Sequence, residues 1–255
     1  MLNVLAANIR KVAIEMRRYL PNTISMIVTF YAIFLMFFWG INALGSPENA
    51  GESNQYLIVI MVLWFLSLMA MQGIGWEITQ EATRGTLEQL YMSPVPAWRI
   101  LLARMVGNVL VNLIVIALML LMAMATAQEW LVFDVPTLVP LVLLTILCML
   151  GVGFMVAGLA LVFKHIQALL QIAQFIFAAL VTVPVLLTPW FELLPVVRGA
   201  SMVREAMAEG TSLTGFAASD WLLLLVNALF YFGLGVFLYK LAERRAMNKG
   251  LLGQY

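Results

Sequence analysis

Residues 77–96 read EITQEATRGTLEQLYMSPVP, a polar, charged interruption between two long apolar runs. Taken as a helix, the stretch carries Glu77, Glu81, Arg84 and Glu88 at steps of three or four. Its charges therefore line one side, with Leu87, Leu90 and Tyr91 on another. Gly85 bends or breaks that helix, because glycine is a poor interior residue. Thr86 and Gln89 have the spacing of a capping box, which restarts a second short helix before Ser93-Pro94 stops it. The expectation is a helix-kink-helix hairpin outside the lipid, shaped as a docking surface. A solvated loop with one helical turn has the same composition.

The apolar runs on either side belong to a chain that is 64% hydrophobic and 11% charged over 255 residues, with a mean hydropathy of +0.99. So little polar surface cannot cover a soluble domain, and the composition defines a polytopic membrane protein. Cys148 is the single cysteine, which excludes an intramolecular disulfide, and its apolar setting reads as packing. Residues 1–20 have no continuous apolar centre, so no cleaved signal peptide is expected.

Residues 2–20 form an amphipathic helix, with Leu2, Leu5, Ile9, Val12, Met16 and Leu20 opposite Asn3, Arg10, Lys11, Arg17 and Arg18. It is expected to lie in the membrane interface, ending at Pro21-Asn22. Six spans follow, at about Thr23–Leu44, Tyr56–Trp76, Met105–Ala127, Thr137–Phe163, Ile166–Leu187 and Asp220–Leu241, each suited to a hydrocarbon layer of ~30 Å. The fourth contains Gly151, Gly153, Ala157 and Gly158, small residues that permit close helix approach. Trp190–Ser219 is too polar and interrupted to cross; its helical run Val196–Glu209 reads as an outer-face lid or a partly re-entrant pair of short helices. The fold class is thus all-α and membrane-integral. Residues 1–22 form an interfacial helix, and residues 23–255 a six-span domain with the 77–96 hairpin and the 190–219 lid.

Six spans put both termini on one side, and charge tests that arrangement. Arg10, Lys11, Arg17, Arg18, Arg84, Arg99, Arg104, Lys164, Lys240, Arg244, Arg245 and Lys249 share that side, twelve of the fourteen basic residues, leaving Arg198 and Arg204 opposite. Basic residues concentrate in cytoplasmic segments, so the termini and the hairpin are expected in the cytoplasm and the chain in the cytoplasmic (inner) membrane. No phosphate-binding loop of the GxxxxGK[ST] type occurs. His165 is the only histidine and no metal-ligand spacing is present, so no catalytic, cofactor or metal site is expected in this chain. Nothing in the sequence suggests a nucleic-acid partner. No ionisable residue sits deep in a span, which argues against a pump driven by its own side chains.

Polar residues within the spans are few. Gln167, Gln171 and Gln174 recur at i, i+4 and i+7, one stripe that either lines a water-accessible path or hydrogen-bonds neighbouring helices. Asn108 and Asn112 share a face of the third span, and Asn227 lies in the sixth; interhelical hydrogen bonding is expected of all three. Phe30, Phe34 and Phe37 fall on one side of the first span, an aromatic wall for an apolar substrate or a lipid-facing aromatic belt.

Glu81, Gly85-Thr86-Leu87-Glu88, Leu90 and Ser93-Pro94 resemble the "E…GTLE.L..SP" segment of ABC-2 type transporter permeases, the membrane subunits of ATP-driven exporters. The resemblance implies that the hairpin is a coupling helix seated in a groove of a cytoplasmic ATPase, present in two copies, where ATP and magnesium bind. Glu77, Glu81, Arg84, Gly85, Thr86, Leu87, Glu88, Leu90, Ser93 and Pro94 then form the coupling surface, and Arg10, Lys11, Arg17 and Arg18 help to dock or anchor it. It further implies a second permease copy, a homodimer in the simplest case, with the first and fifth spans bordering the pathway. Phe30, Phe34, Phe37, Gln167, Gln171 and Gln174 are the pathway candidates on that reading. The expected cargo is a hydrophobic or amphipathic compound moved outward, with lipid-linked glycan or polysaccharide as the alternative. A non-transporting assembly subunit of the same fold is a further alternative. A lipid-modifying enzyme would need convergent carboxylates or histidines, which the sequence lacks.

Overall fold

The computed structural model describes residues 2–44, 50–83, 87–93, 95–163, 166–182 and 189–248. They form nine α-helices and a 3-10 turn, with no strand among them. In chain order the helices are α1 (Leu2–Arg18), α2 (Leu20–Leu44), α3 (Ala50–Thr83), α4 (Leu87–Tyr91), α5 (Ala97–Ala127), α6 (Val135–Phe163), α7 (Gln167–Thr182), α8 (Val197–Ala208) and α9 (Ala218–Asn248). The 3-10 turn, Pro189–Leu193, precedes α8. Five of the helices, α2, α3, α5, α6 and α9, contain segments long and apolar enough to cross a membrane. α7 is apolar but shorter, and its expected continuation to Leu187 lies outside the described residues.

Several boundaries differ from the sequence reading, each for a physical reason. α1 stops at Arg18 with Tyr19 as the turn. Pro21 falls in the first turn of α2, where a missing N–H costs nothing, so it starts the next helix instead of ending the previous one. Residues 50–55, expected in a loop, are the first turns of α3. Hydropathy cannot see that extension, because a helix that leaves the lipid loses its apolar signature without losing its hydrogen bonds. α5 likewise begins eight residues before the expected Met105. α8 falls within one residue of expectation at both ends.

The core is a bundle of α3, α5, α6 and α9. α6 and α9 meet backbone to backbone: a Cβ at Gly151 would lie 2.3 Å from the Tyr231 carbonyl oxygen, and one at Gly235 would lie 2.0 Å from that of Gly151. Small residues were expected on α6; the fit requires the matching glycine on α9. Gly153 gives a similar approach to α3, where an added Cβ would lie 2.9 Å from the Ala70 carbonyl oxygen. α2 joins this bundle through one aromatic side. Phe30 packs edge-on against Phe65 with ring centroids 4.2 Å apart, Phe34 is buried, and the Tyr31 hydroxyl lies 2.6 Å from Thr126 Oγ1 on α5.

α8 is more deeply placed than a surface lid. Val197, Gly199, Ala200, Ser201, Met202, Val203, Ala206 and Met207 are all buried against α3, α6 and α7. Gly199 makes this possible, since a Cβ there would lie 2.2 Å from Thr145 Oγ1. Polar ties fasten the same end of the bundle. Arg198 pairs with Asp220 and, at 3.7 Å, with Glu192; the Asn227 amide donates to the Glu192 and Leu194 carbonyls, and the Tyr231 hydroxyl to that of Leu193. Asn227 thus holds the 3-10 turn as well as approaching Cys148 on α6, at 3.6 Å. Tyr56 donates to Glu209 at 2.7 Å and Gln55 to Glu129 at 3.0 Å, so the first turns of α3 are anchored there too. Asn42 and Asn54 exchange side-chain amide bonds between α2 and α3.

Candidate functional site at the hairpin end

The opposite end of the bundle carries the segment that sequence reading singled out. α3 continues unbroken through Glu77 and Glu81 to Thr83, and α4 resumes at Leu87. Arg84, Gly85, Thr86 and Pro94 lie outside the described residues, as do the side chains of Leu87 and Glu88. The capping and the bend assigned to Gly85-Thr86 fall within that gap. Leu90 is buried, Gln89 is exposed, and Ser93 Oγ accepts from the Val95 N–H at 3.3 Å, a local turn that redirects the chain toward α5.

Two contacts fix this hairpin to the bundle, and a third joins α5 to α9 beside it. Arg104, one turn into the buried part of α5, reaches back to α3, with its guanidinium 2.5 Å from Glu81 and 3.5 Å from Glu77. All three side chains are at most a quarter exposed, so the attraction acts in a medium far less screening than water. Glu77 and Glu81 sit at i, i+4 and therefore face the same guanidinium. The Tyr91 hydroxyl of α4 lies 2.9 Å from that of Tyr239 on α9. Burial raises the Tyr91 phenol above its usual range, so it stays protonated and able to donate through neutral pH. Finally, the Trp98 ring of α5 has two cations near it, with Arg99 5.3 Å and Lys240 of α9 5.1 Å from its centroid. The hairpin is thus tied to α5 and α9 at once.

Arg104, Tyr91–Tyr239 and Trp98–Lys240 were not singled out as a linked set from sequence. A signal was present for the first: two carboxylates one helical turn apart, followed by an arginine at the edge of an apolar run, where a lone charge needs a partner. For the tyrosines no local signal exists, because 148 positions separate them.

The basic residues of α1, Arg10, Lys11, Arg17 and Arg18, are exposed, and Lys11 forms a loose pair with Glu15 at 3.8 Å. α1 lies alongside α5, where Gly107 lets it approach: a Cβ on Gly107 would stand 3.3 Å from the Ile9 backbone nitrogen. Asn112 donates to the carbonyl of Asn108 on its own helix and, among the described residues, makes no side-chain bond to another helix. Both asparagines instead line a cleft of about 810 Å³ between α1, α2, α3 and α5, whose other walls include Tyr19, Trp76 and Glu77.

The pathway candidates separate. Phe30 and Phe34 turn inward, around a void of about 20 Å³ that admits no ligand, while Phe37 is exposed. Gln167 and Gln171 are exposed and Gln174 half-buried; among the described residues none makes a side-chain hydrogen bond to another helix. The stripe therefore faces away from this chain's own core. The backbone carbonyl of Gln174 accepts from Trp64.

Long apolar helices, a charged hairpin anchored to them and a short buried helix at the far end are the features of a multi-pass membrane protein. The model of the ABC-2 family transporter protein matches residues 41–237, and the chain belongs to that family. No curated protein matches it significantly. A membrane transporter subunit of the permease type follows from that membership.

Proposed function

We propose that the chain is the membrane half of an ABC exporter, moving a hydrophobic or amphipathic compound outward across the cytoplasmic membrane while separate ATPase subunits hydrolyse ATP. The observation that carries this reading is the continuity of α3 with the hairpin: one helix runs from the anchored far end to the motif-bearing segment, and Arg104 locks its last turns to α5. α7 supplies the sixth crossing, both termini lie in the cytoplasm, a reading the distribution of basic residues supports, and α1 rides the inner membrane surface against α5. Two copies of the chain enclose the pathway, to which the outward-facing Gln167 and Gln171 contribute.

Within the hairpin the acidic residues divide their work. Glu77 and Glu81 are engaged by Arg104 and transmit motion into the bundle; Glu88, with Gly85, Thr86 and Leu87, meets the ATPase. The test is ATP hydrolysis in lipid nanodiscs by the chain co-purified with its candidate ATPase. Glu88→Arg is expected to weaken both association and turnover at least tenfold, because a reversed charge turns attraction into repulsion. Equal turnover with Glu88 reversed removes that residue from the interface. Failure of any ATPase to associate with the wild type removes the transporter reading itself.

A further inference from the structure

The cleft between α1, α2, α3 and α5 is the largest cavity described above, and its volume of about 810 Å³ is that of a small-molecule site. Its position is unusual for a packing defect. It lies at the hairpin end, beside the first turn of α2 and the last turns of α3, and its walls combine Met26, Leu68 and Met69 with Trp76 and a small set of polar groups. A void left by poor packing would be apolar throughout.

The charged groups on the walls are both acidic, with Lys11 standing 3.8 Å from Glu15. Among the described residues lining the cleft the carboxylates are Glu15 and Glu77, and no lysine or arginine joins them. Glu77 has Arg104 as its ion partner, but at 3.5 Å, because the guanidinium sits closer to Glu81. Asn112 spends one of its two amide donors on the Asn108 carbonyl of its own helix, which leaves its side-chain oxygen and one N–H to a ligand. Tyr19 and Trp76 add aromatic faces, which attract cations. Acceptors, anions and π-faces around an apolar floor recognise an amine-bearing head on an apolar body.

We propose that this cleft binds amphipathic primary amines taken from the inner leaflet, so that the compound exported is a cationic amphiphile. The proposal deepens the exporter reading and rests on it for direction and leaflet. Glu77 holds the ammonium group, Asn108 and Asn112 orient it, and Met26, Leu68 and Met69 take the apolar body. Because Glu77 also belongs to the Arg104 cluster that anchors the hairpin, an arriving cation competes with Arg104 for the same carboxylate. Occupancy of the cleft thereby reaches the hairpin directly.

The test needs no ATPase, so its failure is separable from that of the exporter reading. The full-length chain in phosphatidylcholine nanodiscs is titrated with dansylcadaverine, a primary amine on an aromatic body, and with dansyl-aminocaproate, the same body ending in a carboxylate. The expected result is saturable fluorescence enhancement by the amine, with the carboxylate at least tenfold weaker. Glu77→Gln is expected to weaken the amine about tenfold, as loss of a charged hydrogen bond implies. Since that variant also alters the Arg104 cluster, Gly73→Leu serves as the second. A Cβ at Gly73 meets only Asn108 Nδ2, at 3.9 Å, so a leucine there fills the cleft without disturbing the backbone. It is expected to abolish saturable binding while leaving the melting temperature within a few degrees of wild type. Equal binding of amine and carboxylate, or amine binding that persists in a folded Gly73→Leu protein, overturns the proposal. Amine binding lost when phosphatidylethanolamine replaces half the phosphatidylcholine would instead make that lipid's amine the occupant and overturn the export assignment.

Discussion

α2 and α6 are both apolar enough to span a membrane, with mean hydropathies of 2.1 and 2.6, yet 67% of the apolar window of α6 is buried within the chain and 6% of that of α2. Hydropathy reports that a helix avoids water; it does not report what the helix avoids water against. α6 is held by glycine contacts on two sides, and its neighbours are backbone atoms that cannot yield. α2 has aromatic side chains on one side, and its remaining surface, with Met36, Phe37 and Trp39 exposed, is left for lipid or for a second copy. The chain is thus divided between a closely packed bundle and a helix that the bundle holds on one side.

The strongest way to break this comparison is at the α6–α9 seam. Gly235→Leu drives a side chain into the Gly151 carbonyl and is expected to cost upwards of about 3 kcal/mol, leaving little monodisperse protein in gel filtration. Gly233→Leu, two residues away with open space around it, should elute as wild type. If the two variants behave alike, the seam is not rigid. Next in size is Arg104→Met, which strands Glu77 and Glu81 without their cation. A loss of about 2–3 kcal/mol is expected as a lower melting temperature in detergent, and adding Glu77→Gln with Glu81→Gln should restore much of it. A single variant that melts like wild type would show the cluster to be idle. The smallest effect is expected for Phe37→Ala, within about 0.5 kcal/mol in the monomer, since the ring leaves little behind in the chain. A drop matching that of Arg104→Met would show α2 to be gripped after all.

What could be read from sequence follows the same division. Long apolar windows located α2, α3, α5, α6 and α9, because exclusion from water is a property of composition. The pairing of Tyr91 with Tyr239 and of Gly151 with Gly235 was not legible, since each joins helices far apart in the chain and needs the fold before it has meaning. α8 shows the intermediate case. Its limits were visible in the sequence, but its burial against α3, α6 and α7 depends on Gly199 meeting Thr145, which no periodicity announces. The glutamine stripe on α7 was visible, and its direction, away from the core, was not.

The length of α3 has a geometric consequence. Its 34 residues make a rod of about 51 Å, well beyond the ~30 Å of hydrocarbon it crosses. Near one tip lie the Tyr56 and Gln55 bonds to Glu209 and Glu129, and near the other the Arg104 pair. Rotating such a rod by about 5° about one tip carries the other through about 4 Å, more than the reach of a hydrogen bond. A small tilt of the rod is therefore enough to make or break the Tyr56–Glu209 bond at the end remote from Arg104.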